Sequence, residues 1–437
     1  MNLIRRTVAA GVAVTAALAV TACGGGAQPT GPGGAASGGA FTAWTLTGGA
    51  EPAFRASFEE WNKAKPETPL KAEFFANDAF KEKIRTAVGS GNAPTLIYSW
   101  AGGTLKDYVA NNNVVDLTES TTALQARLVP SVLDTGKVGG KVYAVPNNNA
   151  QPVMFFYNKE LFTKAGIPAA PSTFAELLDA VAKLKAAGVA TPIALAGQSL
   201  WPELMWIEYL ADRVGGPEAF QAVLDGKPDA WTNPDMIKAL GMLQELVKAG
   251  AFGDKYGSIV ADSGADTALV HTGRAGMVLQ GAWVYGTFLT DAPDFVAKGS
   301  LGFGAFPAVE GGKGDPTNIL GNPANFWSVS ATATPAQQQA AITYLNEFLL
   351  NDAYVNTLIA AGSVPVTNDA ADKLKASDQA AFLTYAYDLV KNAPNFELSW
   401  DQALPSGQAQ ALLTNLGQVF LLQQTPEQFA ATMKSAK

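Results

Sequence analysis

The 437-residue sequence has one cysteine, one histidine and few charged residues, which make up 16% of the chain. One cysteine cannot form an intramolecular disulfide, and one histidine cannot supply a multi-histidine or Cys/His zinc cluster. Any Ser/His/Asp or Cys/His nucleophilic machinery would have to use His271. Metal sites built only from carboxylates and carbonyls remain open. The sequence predicts no catalytic residue, no metal site and no cofactor.

Positive charge is also scarce, because 30 Lys and Arg residues face 38 Asp and Glu residues and give a net charge of −8. A surface that tracks nucleic-acid phosphates is therefore not expected. Apolar residues account for 48% of the chain, enough to fill a large core. The length exceeds what one small core accommodates, so two lobes or two domains are expected.

The N-terminus has the pattern of an export signal. Arg5 and Arg6 precede an apolar run over residues 7–20 that is too short for a membrane anchor. Val20-Thr21-Ala22-Cys23 resembles a bacterial lipobox, which predicts a signal peptide over residues 1–22 and a lipid on Cys23. The alternative is a plain secreted chain with a chance cysteine. The export route, Sec or twin-arginine, stays open.

Residues 23–40 are rich in Gly, Ala, Pro and Ser and carry no charge. Such a segment cannot bury apolar surface and behaves as a flexible tether. We therefore expect a globular body held at the extracytoplasmic face of the cell membrane. A catalyst, a receptor and a ligand carrier would all fit this arrangement.

Strand and helix signals alternate from residue 41 onward. Strand patterns cover residues 41–46, 70–75 and 95–98, with amphipathic helices between them, and this order predicts a parallel sheet covered by helices. A second α/β set begins near residue 152. Beyond residue 330 the chain is almost all helix, with Thr-Pro-x-Gln helix starts at Thr334 and Thr425. His271 is expected at a helix terminus.

Several short motifs occur in an order typical of one family. They lie at residues 94–103, 143–146, 154–159, 171–177, 273–277, 281–283 and 399–405. The Tyr-Asn-Lys group at 157–159 is the strongest of them. From residue 41 to the C-terminus, the chain resembles the extracellular solute-binding proteins of carbohydrate-importing ABC systems, the group that includes the maltose-binding proteins.

The resemblance implies an α/β, two-lobed periplasmic-binding-protein fold of the type II kind, with a hinge of three crossing segments. Carried onto this sequence, the N-lobe covers residues 41–149 and 283–326, and the C-lobe covers 150–282 and 327–437. The crossings fall near 146–152, 280–283 and 324–329. The family also implies a sugar ligand, ABC permease subunits as partners and no catalysis. We expect a monomer that is held at the membrane by the lipid on Cys23.

A sugar offers patches of C–H bonds that stack on aromatic rings and hydroxyls that bind amides and carboxylates. Of the nine tryptophans, Trp61 and Trp206 lie in helical core patterns and Trp231 fits a helix-entry contact. The other six lie at strand ends or in loops. Five are predicted to contact ligand: Trp44, Trp100, Trp283, Trp327 and Trp400. Trp201 opens a helix and could face either way, and Trp44 could instead point into the core.

The polar candidates lie where strands end or where a crossing is expected. They are Thr47, Asn77, Asp78, Asn147, Asn149, Gln151, Asn325 and Asp401. For Asn77 and Asp78 the alternative is helix capping alone, and for the amide run after Pro146 it is an ordinary turn. Asp401 is the best acid for hydroxyl recognition, because a carboxylate accepts two hydrogen bonds at once.

Two functions fit these features. The first is a binding module that traps a mono- or oligosaccharide between its lobes and delivers it to a membrane permease. The second is a secreted glycoside hydrolase or lyase, which needs two carboxylates roughly 5 Å apart for retention or roughly 6.5–9.5 Å apart for inversion. No motif pairs two acids in that way. The tryptophans in loops argue against a receptor for iron or polyamines.

Overall fold

The computed structural model of the protein describes residues 40–436. The strands in this range are β1 (Phe41–Leu46), β2 (Leu70–Phe75), β3 (Leu96–Ser99), β4 (Lys137–Val138), β5 (Lys141–Val142), β6 (Val145–Pro146), β7 (Asn149–Asn158), β8 (Thr191–Ala194), β9 (Ala275–Gly281), β10 (Leu301–Gly304), β11 (Ile319–Asn322), β12 (Phe326–Val329), β13 (Val364–Pro365) and β14 (Phe396–Leu398). The helices are α1 (Glu51–Ala64), α2 (Asn77–Gly89), α3 (Gly102–Ala110), α4 (Thr122–Gln125), α5 (Pro130–Asp134), α6 (Lys159–Lys164), α7 (Phe174–Ala186), α8 (Trp201–Gly215), α9 (Glu218–Leu224), α10 (Pro234–Lys248), α11 (Ala265–His271), α12 (Val284–Asp291), α13 (Pro293–Ala297), α14 (Pro335–Glu347), α15 (Asp352–Ala360), α16 (Ala370–Lys375), α17 (Ala380–Asn392), α18 (Trp400–Ala403), α19 (Ser406–Phe420) and α20 (Pro426–Ser435). No helix within residues 40–436 combines the length and apolar character needed to cross a membrane.

The first sheet has the order β2-β1-β3-β12-β6. Strands β1, β2 and β3 run parallel, and their connecting helices α1 and α2 confirm the predicted β-α-β-α-β order. Strand β12 pairs antiparallel with both β3 and β6. All three parallel strands therefore present their carboxyl ends at one edge of this sheet, where open α/β sheets bind ligands.

The second sheet has the order β14-β11-β7-β9-β8, and β10 and β13 also pair with β7. Side chains of β7 alternate between two apolar cores, as a period of two requires. Val153 and Phe155 belong to one core, and Met154 and Phe156 belong to the other, which also contains the first sheet. Strand β7 is thus buried on both faces.

Within residues 40–436, three segments pass between the two sheets. The first joins β6 to β7 and lies within the predicted crossing at 146–152. Another joins β11 to β12 through residues 323–325, which overlap the start of the predicted crossing at 324–329. The remaining one joins α15 to β13, because α15 packs on α1 and β13 pairs with β7. The crossing predicted at 280–283 is wrong, since α12 stays beside the second sheet, where Phe288 packs on Phe156.

The predicted assignment of the later segments to lobes must also be corrected. The resemblance predicts that residues 283–326 belong to the N-lobe, yet β10 and β11 pair with β7 of the second sheet. It also predicts that residues from 327 onward belong to the C-lobe, yet β12 pairs with β3, and α14 contacts β1 and β12. Sheet membership here depends on pairing between strands far apart in sequence, which local patterns do not encode.

Local signals did predict helix starts. Thr334 and Gln337 form a capping box at α14, and Thr425 and Gln428 form another at α20, so each pair satisfies backbone donors that would otherwise be unpaired. His271 ends α11, as predicted.

Candidate functional site

A cavity of about 1040 Å³ lies between the two sheets. Its first wall comes from the segments that follow β1, β2 and β3, and includes Thr47, Glu51, Arg55, Asn77, Lys81 and Trp100. Its second wall comes from elements around the second sheet, and includes Trp201, Asp262, Asp266, Gln280, Trp283 and Asp401. The crossing segments add a row of amides between the walls.

Eight of the thirteen residues predicted to bind ligand line this cavity. They are Thr47, Asn77, Trp100, Asn149, Gln151, Trp283, Asn325 and Asp401. The sequence predicted these positions from strand ends and family motifs, and the fold brings them together from seven separate stretches of chain. The other five, Trp44, Asp78, Asn147, Trp327 and Trp400, are not in its lining.

Trp44 belongs to the core of the first sheet. Its side chain is buried, its Nε1–H donates to Glu73 Oε1 at 3.0 Å, and its ring packs against Phe75. The Lys83 ammonium lies 4.5 Å from the centre of the indole. The alternative interpretation, a ring pointing into the core, is therefore the correct one.

Trp327 and Trp400 are also core residues, so their predicted contact with ligand is wrong. Trp327 is fully buried in β12 and meets Tyr98 edge to face, with ring centres 5.5 Å apart. Trp400 is fully buried in α18 and stacks on Phe220 with ring centres 4.4 Å apart. Its sequence neighbour Asp401 faces the cavity instead, since adjacent residues of a helix turn point in different directions.

The remaining tryptophans divide between core and cavity. Trp61 and Trp206 are buried, as predicted, and Trp231 is buried against Trp400 and Phe429. Trp201 lines the cavity, a position that its sequence pattern left open.

Three half-buried indoles therefore line the cavity. Trp100, on the first wall, is held edge to face by Tyr98 at 5.5 Å and Phe80 at 6.0 Å. Trp201 and Trp283, on the second wall, lie 6.0 Å apart and are tilted by 54°. The Trp283 ring folds back over Gly281, where any Cβ would overlap it. Glycine at 281 is thus required for this ring position.

An amide network ties the crossing segments together. Asn148 Nδ2 and Gln151 Nε2 donate to Asn325 Oδ1 at 2.6 and 2.7 Å, and the Asn325 N–H donates to Asn148 Oδ1 at 2.8 Å. Asn325 is the central member, and Asn148, which belongs to the amide run predicted after Pro146, also lines the cavity. Asn147 differs from the prediction: its side chain is fully buried and has no hydrogen-bond partner among the described residues.

Asn77 and Asp78 open α2 at the edge of the cavity. Ala76 occupies the N-cap position and no side chain caps the helix, so capping does not explain either residue. Asp78 Oδ1 accepts a hydrogen bond from Trp201 Nε1 at 3.1 Å, and the Asp78 N–H donates to Asp262 Oδ2 at 2.8 Å. Asp78 therefore joins the first wall to the second rather than lining the cavity.

A third contact between the walls is an ion pair. Lys81 Nζ lies 3.1 Å from Asp401 Oδ2, and the Asp401 side chain is only 7% exposed. The same ammonium lies 5.3 Å from the centre of the Trp100 ring. Together with the Asp78 contacts, this pair closes one side of the cavity.

Burial raises the pKa values of acids on the second wall and behind it. Burial raises the pKa of Asp266, and the hydrogen bond from Gln280 Nε2 at 2.8 Å opposes that shift. Burial also raises the pKa of Glu203 to about 8 and that of Glu208 to about 8. Neither glutamate lines the cavity, so neither is placed to protonate a bound glycoside. Within the described part of the chain, no group of three or more His, Cys, Asp or Glu side chains is arranged to hold a metal ion.

Two sheets joined by three crossings around a cavity lined by indoles define a two-lobed binding protein of the periplasmic type. The chain belongs to the family of bacterial extracellular solute-binding proteins, whose family model matches residues 44–355. This family membership implies an extracytoplasmic location. The α/β, two-lobed fold predicted from sequence is confirmed.

A solved structure reported with xylan utilization by the thermophilic bacterium Caldanaerobius polysaccharolyticus is 30% identical, with a TM-score of 0.81, over 91% of this chain and 99% of that chain. The xylose/arabinose-binding protein XacG of Haloferax volcanii is 27% identical over 60% of this chain and 57% of its own length. The sn-glycerol-3-phosphate-binding periplasmic protein UgpB of Salmonella typhimurium is 25% identical over 62% of this chain and 61% of its own length. The chain thus spans about three fifths of the length of these two curated relatives.

Proposed function

We propose that the protein is the ligand-binding component of an ABC importer for carbohydrates. It binds a mono- or oligosaccharide between its two lobes and delivers it to the membrane permease without catalysis. The observation that carries this proposal is the set of three indoles on opposite walls, interleaved with amides and carboxylates. Indole faces suit the C–H patches of a pyranose, and the polar groups suit its hydroxyls.

The size of the cavity favours an oligosaccharide over a single sugar. Its volume of about 1040 Å³ lies at the top of the range of roughly 300–1,000 Å³ seen for pockets that hold drug-sized ligands. Trp100 and the Trp201–Trp283 pair also lie on different walls, which provides stacking surfaces for more than one ring. The structure reported with xylan utilization and the xylose/arabinose-binding protein XacG, both similar to this chain, support a carbohydrate ligand.

The lobes are proposed to divide at the three crossings. Residues 40–147 and 325–361 form the first lobe, and residues 149–322 and 364–436 form the second. Ligand that contacts both walls binds the closed form more tightly than an open one, and this difference shifts the population toward closure. The permease then recognises the closed protein.

We also propose that Cys23 carries a lipid after cleavage of residues 1–22, with residues 23–40 as the tether. Residues 1–39 lie outside the described residues, so this part rests on the lipobox pattern. Metabolic labelling with radioactive palmitate should label the wild-type protein and leave Cys23→Ser unlabelled. Equal labelling of both proteins would exclude this anchor.

Isothermal titration calorimetry tests the binding function. The protein starting at residue 24 is titrated with xylotriose, maltotriose, chitotriose and their monosaccharides, and each mixture is then analysed for cleavage products. We expect one-to-one binding of at least one trisaccharide with the sugar recovered intact. Turnover of any of these sugars would favour the glycoside hydrolase or lyase instead.

A further inference from the structure

We propose that the cavity selects uncharged carbohydrate over anionic ligands, and that Glu51 and Asp401 set this selectivity by neutralising its two cations. This inference rests on the proposed function and narrows the ligand class. Among the described residues that line the cavity, five are acids and only Arg55 and Lys81 are basic. The acids are Glu51, Asp262, Asp266, Asp291 and Asp401.

On the first wall, the Glu51 carboxylate forms an ion pair with the Arg55 guanidinium. Arg55 Nε and Nη2 lie 2.7 and 2.6 Å from Glu51 Oε1, which is a close two-donor pairing. The guanidinium also lies 3.8 Å from the centre of the Phe74 ring, which holds its plane against an apolar surface. The Arg55 side chain is exposed, but a ligand phosphate or carboxylate that approaches it would meet a cation whose charge Glu51 already offsets.

Between the walls, the Asp401 carboxylate forms an ion pair with the Lys81 ammonium. Asp401 Oδ2 accepts from Lys81 Nζ at 3.1 Å and from Gln402 Nε2 at 2.7 Å. The carboxylate is 7% exposed and the lysine side chain is 28% exposed, so the pair is partly shielded from solvent. An anionic ligand would meet a neutralised lysine beside a buried carboxylate.

The helix ends at the first wall also carry their own carboxylates. Helix N-termini favour anions, because their unpaired N–H groups and the helix dipole are positive there. At α1, Glu51 lies in the first turn and its Oε2 accepts from the Gly48 N–H at 2.7 Å. At α2, the N–H of Asp78 in the first turn donates to Asp262 Oδ2 at 2.8 Å. A carboxylate of the protein therefore already accepts from a backbone N–H at each of these two helix starts.

Among the described residues, those of the second wall that line the cavity include no Lys or Arg to compensate these acids. Asp266 is buried and its Oδ2 accepts from an amide, Gln280 Nε2, rather than from a Lys or Arg. Asp262 Oδ2 accepts from a backbone N–H. Such acceptors suit sugar hydroxyls, which donate to them, whereas an anion entering here would lose hydration and be repelled.

The test compares wild type, Glu51→Gln and Asp401→Asn, one change on each wall, with Asp369→Asn as the control. Asp369 also pairs with a lysine, Lys373, but does not line the cavity. The protein starting at residue 24 is titrated by calorimetry with xylotriose, maltotriose and chitotriose as neutral probes. Glucuronoxylotriose and sn-glycerol 3-phosphate are the anionic probes. Thermal melting establishes that each variant is folded.

We expect wild type and Asp369→Asn to bind a neutral trisaccharide at least ten-fold more tightly than either anion. Glu51→Gln and Asp401→Asn should each strengthen sn-glycerol 3-phosphate binding about ten-fold, because Arg55 or Lys81 is released. Tighter binding of an anion than of every trisaccharide by wild type would overturn the selectivity and leave the binding function intact. Unchanged anion affinity in both folded variants would overturn the roles of Glu51 and Asp401. If none of the five probes binds wild type, the proposed function fails as well.

Discussion

The two walls of the cavity are built in different ways. The first wall comes from the loops and helix starts after three parallel strands, β1 to β3, which end at one sheet edge. The second wall comes from the start of α8, a 3₁₀ turn at Ala261–Ser263, the end of β9 and the short helix α18. The first wall therefore follows a general rule of parallel sheets, whereas the second depends on distant pairings particular to this fold.

The walls also differ in where their aromatic rings lie. On the first wall, Trp100 rests edge-on against Phe80 and Tyr98, both buried core residues. On the second wall, the rings of Trp201 and Trp283 pack against each other, and the lack of a side chain at Gly281 leaves room for the Trp283 ring. Trp400 comes immediately before the cavity residue Asp401 and yet is buried. A tryptophan beside a binding residue is thus weak evidence that it binds ligand itself.

The largest expected effect separates a core ring from a cavity ring. Trp400→Ala removes an indole that stacks on Phe220 and donates through Nε1 to Glu397 at 2.6 Å. We expect it to lower the free energy of unfolding by about 3–5 kcal/mol, the usual cost of deleting a buried aromatic ring. Urea denaturation followed by circular dichroism measures this. Trp283→Ala, which alters a half-buried ring, is the matched comparison and should cost less. Similar losses in both would contradict the division into core and cavity.

The second effect is on the pH dependence of stability and comes from Glu203, a buried glutamate behind the second wall. The pKa of Glu203 rises to about 8 because the carboxyl is buried, and one of its oxygens has no hydrogen-bond partner among the described residues. Between its ordinary pKa of 4.5 and about 8, the folded state holds a proton that the unfolded state has released. Stability should therefore fall as pH rises through this window. Glu203→Gln should flatten the slope, by on the order of 2 kcal/mol in free energy of unfolding between pH 5 and 8.

Denaturation in urea at pH 5, 6, 7 and 8 measures that slope. Asp116→Asn is the control, because the pKa of Asp116 is lowered to about 2 by hydrogen bonds from Thr118 and Lys141. Its contribution is complete above its ordinary pKa of 3.8 and is lost only as pH falls toward 2, outside the tested range. An unchanged slope in Glu203→Gln would show that this carboxyl ionises normally.

The third effect is on the affinity for the ligand rather than on the stability of the fold. Trp100→Ala and Trp283→Ala each remove one stacking face from opposite walls. We expect each to weaken binding of the best trisaccharide by about 1–2 kcal/mol, roughly 5- to 30-fold in Kd. The apo melting temperature should stay within a few degrees, because both rings are only half-buried. Titration calorimetry and thermal melting provide the two readouts. Loss of binding in only one variant would indicate that the ligand uses a single wall.

The sequence predicted the first wall better than the second for a physical reason. Alternating strand and helix patterns place Thr47, Asn77 and Trp100 after three parallel strands, and that order is enough to bring them together. Asp262 and Gln280 reach the second wall only through the packing of α11 and β9, and no local pattern marks them.

The lobe boundaries were mispredicted for the same reason. Whether β11 and β12 join one sheet or the other is decided by pairing with β7 and β3, more than 160 residues earlier in the chain. Their own sequences, both short and apolar, suit either partner. A Gly, Pro and Asn-rich stretch such as residues 321–325 indicates a crossing but not its direction.

The smallest expected effect tests the ion pair that joins the walls. Lys81 is 28% exposed, so the pair should contribute only about 0.2–1 kcal/mol to stability in a double-mutant cycle of Lys81→Gln and Asp401→Asn. Lys373 and Asp369, paired at 2.8 Å, form the matched cycle away from the cavity. Small-angle X-ray scattering of the ligand-free protein is the second readout. Breaking the Lys81–Asp401 pair should increase the radius of gyration, because one of the contacts between the walls is lost. Breaking the Lys373–Asp369 pair should leave the radius of gyration unchanged. Equal scattering from all variants would show that Lys81 and Asp401 do not help to hold the walls together.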